Sequence, residues 1–360
     1  MDEAYEPESI RRKRKRRRWQ SAVLAACFCV GIAAAPAYAA QTDEKDAAPA
    51  SDAVRSVIPI GHTVGIKLFA DGLLVVNLSE STDGAGNVSP ARSCGIRTGD
   101  ILLEMNDEDL KSTEQFQAAL QENGDQPVSL TVKRGAKTLS LTATPVSGSD
   151  GVYRLGAWVR DSMAGIGTMT YYDPQSGTFG ALGHGITDVD TARLMPISSG
   201  SLMPATVTSV TKGKNGTPGE LTGDFETDVE LGSLTCNSAG GVFGKLTDTS
   251  MVSGEPMPVA RREEVRCGNA TILANVDGNQ VEEFSIKITK FVENGENGRD
   301  MLIRITDERL LSKTGGIVQG MSGSPILQNG RIVGAVTHVL VSDPTRGYAI
   351  LMENMLANES

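Results

Sequence analysis

The chain has 360 residues, 34 Lys and Arg against 44 Asp and Glu, and a net charge of −10. Forty glycines, 15 prolines and 4% aromatics, with many short Val/Ile/Leu/Thr runs, favour a mainly β chain rich in turns and argue against a helical bundle. The length allows about two domains, and no period of roughly 20 to 50 residues marks a repeat protein.

Residues 1–39 stand apart. The basic cluster RRKRKRRR (Arg11 to Arg18) precedes the apolar run SAVLAACFCVGIAAAP and the small-residue pattern Ala37-Tyr38-Ala39. This is the layout of an export signal, with an uncleaved membrane anchor as the alternative. Removing it takes away eight basic and four acidic side chains, leaving 26 Lys and Arg against 40 Asp and Glu, a net −14. So acidic a body excludes nucleic acid as a partner. Cys94, Cys236 and Cys267 remain, without metal-ligand spacing, and read as buried thiols or as one disulfide and a spare. Residues 40–55 are polar and Ala/Pro-rich, a linker.

Residues 56–147 begin with short apolar runs broken at glycines, VIPIGHTVGIKLFADGLLVVNL, and end with PVSLTVKRGAKTLSLTATPV, which alternates about the turn Arg134-Gly135. Both predict strands. Between them Ser112 and Gln115 form a capping-box pattern ahead of Phe116, Ala119 and Leu120 at helical spacing, and Asn123-Gly124 stops the helix. With GIRTGDILLEMN upstream of that helix, the segment resembles a PDZ domain. The resemblance implies a groove that receives an extended chain end by strand addition. It makes Gly61 to Ile66 the carboxylate-binding turn, with Thr63, Val64, Gly65 and Ile66 as peptide-binding residues.

Residues 148–360 carry the chemistry. Gly320-Met321-Ser322-Gly323-Ser324-Pro325 can expose a serine Oγ and, through its flanking glycines, aim the N–H groups of Gly320 and Ser322 into one oxyanion hole. The hairpin signal Asn329-Gly330 between PILQ and RIVGAV would hold that turn rigid. Of three histidines, His184 sits bared in Gly183-His184-Gly185 at the end of an apolar run and suits a general base. His338, at alternating spacing in GAVTHVL, reads as packing or a pocket wall. Eight aspartates fall between His184 and Ser322: Asp188, Asp190, Asp224, Asp228, Asp248, Asp277, Asp300 and Asp307. Spacing does not choose among them.

The segments RDSMAGIGTMTYYDPQSGTFGALGHGITD, ATVTSVTKGKNGTPGE and ITDERLLSKTGGIVQGMSGSPILQNGRIVGAVTHVLVSDPTRGYAI, together with the PDZ-like unit, resemble the stage IV sporulation protein B family of exported serine peptidases. The likeness runs from about Val57 to the end. It implies a chymotrypsin-like double β-barrel in residues 148–360 and a triad of His184, Asp307 and Ser322, with no metal or organic cofactor. It also implies protein substrates, among them the peptidase itself and a membrane-embedded regulator of an intramembrane protease. The implied location is outside the cytoplasmic membrane, between forespore and mother cell. Two alternatives stay open: a PDZ adaptor with an inactive peptidase unit, and a quality-control protease of the HtrA kind, which usually puts its protease before its PDZ unit.

Overall fold

The computed structural model describes residues 55–83, 86–293, 295 and 298–359. The expected export signal or anchor, and all but Arg55 of the expected linker, lie outside the described residues. Among the described residues no helix is long and apolar enough to cross a membrane.

Glycine-punctuated apolar runs become antiparallel strands that close into two barrels. The chain enters through β1 (Ser56–Pro59) and the long β2 (Thr63–Leu78). It continues through α1 (Pro90–Cys94), β3 (Ile101–Met105) and α2 (Thr113–Asn123), then the hairpin of β4 (Val128–Arg134) and β5 (Lys137–Ala143). The 17-residue β6 (Ala157–Asp173) follows, then β7 (Thr178–Ala181), β8 (Ser199–Thr211), β9 (Glu220–Phe225), β10 (Gly232–Ser238) and β11 (Gly241–Leu246). Pairings run in a ring, β2–β6–β7–β11–β10–β8 and back to β2. Val64, Ile66 and Leu68 of β2 pack inside this ring against Phe179, Leu202 and Val242.

The second barrel is formed by β12 (Gly268–Asn275), β13 (Val281–Phe291), β14 (Met301–Ile305), β15 (Pro325–Gln328), β16 (Arg331–Val339) and β17 (Arg346–Leu351). The short α3 (Glu308–Thr314) joins β14 to the loop before β15, and α4 (Met352–Leu356) follows β17. Alternate residues such as Ile272, Ile286, Ile303 and Val336 fill its interior. At the β15–β16 turn Asn329 and Gly330 have φ of 53° and 72°, the double positive φ that a type I′ turn requires and that Asn-Gly accepts at low cost.

The PDZ-like unit is stitched into the first barrel. The second half of β2 pairs with β3, β3 with β4, and β4 with β5. Its core joins Leu73 and Val75 to Leu102, Phe116, Leu120, Leu130 and Leu155. Ser112 Oγ accepts the Gln115 N–H at 3.1 Å, so the predicted cap forms, and Phe116 and Leu120 turn inward one helical turn apart. The expected boundary at residues 147/148 is therefore replaced by interleaving. The first halves of β2 and the second half of β6 belong to the barrel, and their other halves to the PDZ-like unit. The cysteines also differ from expectation: Cys267 is exposed, Cys94 and Cys236 are half-buried, and all three are free thiols.

The two barrels meet at Thr168 on β6. Its N–H donates to the Ser322 carbonyl at 2.9 Å, and its Oγ1 donates to the Gly320 carbonyl at 2.8 Å. Thr168 is 1% exposed, so removing its hydroxyl leaves the half-buried Gly320 carbonyl without this donor. Thr168→Val is expected to lower unfolding stability by about 1–3 kcal/mol, read from the midpoint shift of urea unfolding at unchanged slope.

Candidate active site

The loop between α3 and β15 turns sharply at two glycines, Gly320 with φ 96° and Gly323 with φ 99°. A Cβ on Gly323 would come within 2.0 Å of the Thr168 carbonyl oxygen. Glycine is required there on both counts. The orientation of two peptide groups in this loop decides its chemistry. The Gln319 carbonyl accepts the Leu221 N–H at 2.9 Å, and the Met321 carbonyl accepts the Ser324 N–H at 3.0 Å. In a planar trans peptide C=O and N–H point to opposite sides. The N–H groups of Gly320 and Ser322 therefore turn the other way, and among the described residues neither has a main-chain partner. Ser322 Oγ lies beside them, half-buried, donating to the Thr337 carbonyl of β16 at 2.8 Å.

His184 faces the same cavity, of about 290 Å³, which Gly320 and Ser322 also line. It is presented by consecutive left-handed residues just past β7, Leu182 with φ 68° and Gly183 with φ 69°. A leucine at positive φ is strained, and such strain persists only where the surroundings impose it. Here the Leu182 N–H is held by the Thr168 carbonyl at 3.2 Å. His184 Nδ1 lies 3.0 Å from the Gly185 carbonyl. A carbonyl only accepts, so Nδ1 carries the hydrogen and Nε2 keeps the lone pair that a general base needs. Burial pushes the imidazole below its ordinary pKa, partly offset by the Gly185 bond, so the ring is neutral at pH 7. The His338 ring lies alongside, with centroids 5.0 Å apart and planes tilted by 37°. Burial, with His184 and Arg299 nearby, pushes His338 down to about 4.

A second, larger concavity, of about 1250 Å³, lies between α2 and the start of β6. One edge of Ala157–Val159 pairs with β2, and the other has no strand partner among the described residues. Gly156, with φ 74°, forms a turn in which the Leu155 and Gly156 N–H groups have no partner among the described residues. An unpaired strand edge, two free N–H groups and a facing helix are the parts of a PDZ-type peptide groove.

The signature of the SpoIVB peptidase S55 family matches residues 151–356, and that of a PDZ domain matches residues 87–134. The chain belongs to the SpoIVB peptidase S55 family. This is the stage IV sporulation protein B family of peptidases. A protein of Clostridium perfringens (strain 13 / Type A) that carries a zinc-metalloprotease name is 24% identical over 123 residues, 32% of this chain and 37% of that one. The chain thus spans little more than a third of that relative. Among solved structures, a protease from M. tuberculosis in its active form aligns at 13% identity and TM-score 0.34, over 54% of this chain and 73% of that one. The PDZ domain of an SdrC-like protein from Listeria monocytogenes aligns at 20% identity and TM-score 0.21, over 25% of this chain and 87% of that one.

Within this SpoIVB-type chain, the sequence-predicted residues separate into two groups. Ser322, Gly320 and His184 come together on one cavity. Asp307 does not join them. It caps α3, where its carboxylate accepts the N–H groups of Arg309 at 3.0 Å and Ser285 at 3.2 Å and pairs with the Arg309 guanidinium at 3.1 Å. Those bonds, Arg309 first, hold it below the ordinary carboxylate range, and none of them reaches His184. The expected orienting role of Asp307 is thereby corrected: the group bonded to His184 Nδ1 is the Gly185 carbonyl. Thr63, Val64, Gly65 and Ile66 are corrected as well. They lie in β2, where β6 pairs with all four and β8 pairs with Val64, Gly65 and Ile66 on the other edge, so no peptide can add along them, and Ile66 instead walls the His184 cavity.

Three positioning residues escaped sequence reading. Asn237 Oδ1 accepts the Ile186 N–H at 2.8 Å, and its Nδ2 donates to the Ile186 and Met195 carbonyls, pinning the loop that follows His184. Thr168 and Thr337 hold the serine turn. All three act through contacts distant in sequence, and no local pattern announces them.

Ser324 is fully buried and its Oγ has no hydrogen-bond partner. Ser322→Ala is expected to abolish proteolysis, whereas Ser324→Ala should keep most activity and all of its stability, since it removes an unpaired hydroxyl. Electrophoresis of the purified variants over time, with a thermal melt for each, checks both. The lowered His184 pKa also fixes a pH dependence. The base must be neutral, so the acid limb of kcat/KM is expected below the ordinary histidine value of 6.5. A limb at or above that value would contradict the buried environment.

Proposed function

We propose that the chain is an exported serine endopeptidase that cleaves itself and a membrane-associated regulatory protein, signalling late sigma-factor processing during sporulation. The substrates, the signalling role and the location between forespore and mother-cell membranes rest on family resemblance. The carrying observation for catalysis is the shared cavity, in which a glycine-framed serine, a neutral histidine with Nε2 free and two outward N–H groups converge.

Ser322 Oγ attacks the scissile carbonyl and its proton passes to His184 Nε2. The hydroxyl must first leave the Thr337 carbonyl, a rotation about the side-chain bonds, because apo contacts in such sites tighten only with substrate bound. The Gly320 and Ser322 N–H groups stabilise the oxyanion. Loss of a single such donor typically costs about 10²–10³ in kcat. The imidazolium is met by the Gly185 carbonyl dipole. His184 then returns the proton to the leaving amine, and water repeats the sequence on the acyl-serine.

Docking is assigned to the groove between α2 and Ala157–Val159, with a chain end bound at the Leu155 and Gly156 N–H groups. The interleaving of β2 and β6 makes excision of the PDZ-like unit a poor test, since it would open the first barrel. A point substitution is cleaner. Ala118 is exposed on α2 and lines the groove, so Ala118→Trp fills it from the helix side. Cleavage of a tethered protein target is expected to fall at least tenfold more than hydrolysis of a short peptide, because the groove acts by raising local concentration. Equal losses on both substrates would mean that the groove plays no part in docking.

A further inference from the structure

The cavity that joins Ser322 to His184 extends beyond the reacting groups, and the mechanism leaves the extension unused. Its walls are Ile66 of β2, Met163 and Ile166 of β6, Leu182 before His184 and Ile186 after it. Among the described residues no Asp, Glu, Lys or Arg lines it, and the one polar side chain besides the catalytic pair is Gln319, which is exposed. About 290 Å³ is at or below the range of small-molecule pockets, roughly 300–1,000 Å³. It has room for one large side chain and no more.

Two glycines of β6 shape it. A Cβ on Gly167 would strike Leu182 Cδ2 at 2.1 Å, so glycine there lets Leu182 take its place in the wall. Gly165, exposed on β6, lines the cavity, and a Cβ there would meet nothing within 4 Å. Its backbone lies in the ladder with β2, opposite Ile66, without positive φ. The absence of a side chain at 165 is therefore neither a backbone need nor a packing need, and it keeps the cavity open.

We propose that this cavity is the specificity pocket of the peptidase, taking an uncharged apolar side chain of the Leu, Met or Phe class from a residue flanking the scissile bond, with Gly165 as the residue that sets its width. The assignment rests on the proposed Ser322–His184 chemistry and deepens it. An acidic or basic side chain entering the cavity would lose hydration and meet no counter-charge. A glycine or alanine would leave the walls uncovered. One or two missing methylenes in such a pocket typically cost about 10–200-fold in kcat/KM.

The test uses the full chain, purified, with quenched-fluorescence peptides that share one sequence. They carry Gly, Ala, Leu, Phe, Asp or Lys at each position flanking the cleaved bond in turn. At one of those positions Leu and Phe are expected to exceed Gly by at least tenfold in kcat/KM, and Asp and Lys to fall at or below Gly. In Gly165→Val, whose β-branched side chain suits a strand, kcat/KM for Leu and Phe peptides should drop at least tenfold more than for Ala peptides. The thermal melt should stay unchanged. Indifference to the flanking residue, a preference for Asp or Lys, or a uniform loss in Gly165→Val would overturn the pocket assignment. Failure of the underlying chemistry is read separately: if Ser322→Ala hydrolyses these peptides as fast as the parent, the nucleophile is wrong whatever the side-chain preference.

Discussion

Two carbonyl groups turned away from a cleft set the chemistry of this molecule. The Gln319 oxygen is held by Leu221 at the entrance to β9, and the Met321 oxygen by Ser324 at the entrance to β15. Each fixes a peptide plane, and each plane leaves one N–H facing the space beside Ser322. Had either carbonyl pointed inward, the turn would repel a developing oxyanion instead of stabilising it. Leu221 lies within β9, and Ser324, fully buried, directly precedes β15, so the fold sets the electrostatics of the turn before any substrate arrives. Thr168 reinforces the arrangement from the first barrel by binding the Ser322 and Gly320 carbonyls.

The same economy governs the histidine. A carboxylate partner is the usual way to fix an imidazole tautomer, yet here a main-chain carbonyl one residue on does so. Burial keeps the ring neutral, and Asn237 fixes the loop beyond it. Strand β6 connects these features to the PDZ-like unit, since Ala157–Val159 border the groove and Met163–Ile166 border the catalytic cavity. The two concavities thus share one backbone element, and neither half can be removed without disturbing the other.

Much of this was legible in the residues. The glycine-framed serine, the bared His184, the Asn329-Gly330 hairpin and the capped helix at Ser112 are local patterns, governed by φ preference and by side-chain bonds within a few residues. They appear where sequence reasoning put them. What failed was non-local. Asp307 precedes the serine segment at a persuasive spacing, but an aspartate before Glu308 and Arg309 is also a helix N-cap, and the cap uses its oxygens. Gly61 to Ile66 reads as a glycine loop, but Val64 to Ile66 are paired on both edges, by partners in β6 and β8 that come far later in the chain. The strand edge left unpaired among the described residues, Ala157–Val159, lies after the PDZ-like core in sequence and carries no turn signal stronger than Gly156. Asn237 and Thr168 have no local signature, because their partners are set by barrel closure.

The most direct test of the central claim is covalent labelling of the purified chain with a fluorophosphonate, followed by intact-mass and peptide analysis. The account predicts one adduct per chain, on the peptide containing Ser322, formed much more slowly in His184→Gln and absent in Ser322→Ala. An adduct that persists in Ser322→Ala, or labelling of Ser322 at the parent rate without His184, would contradict it.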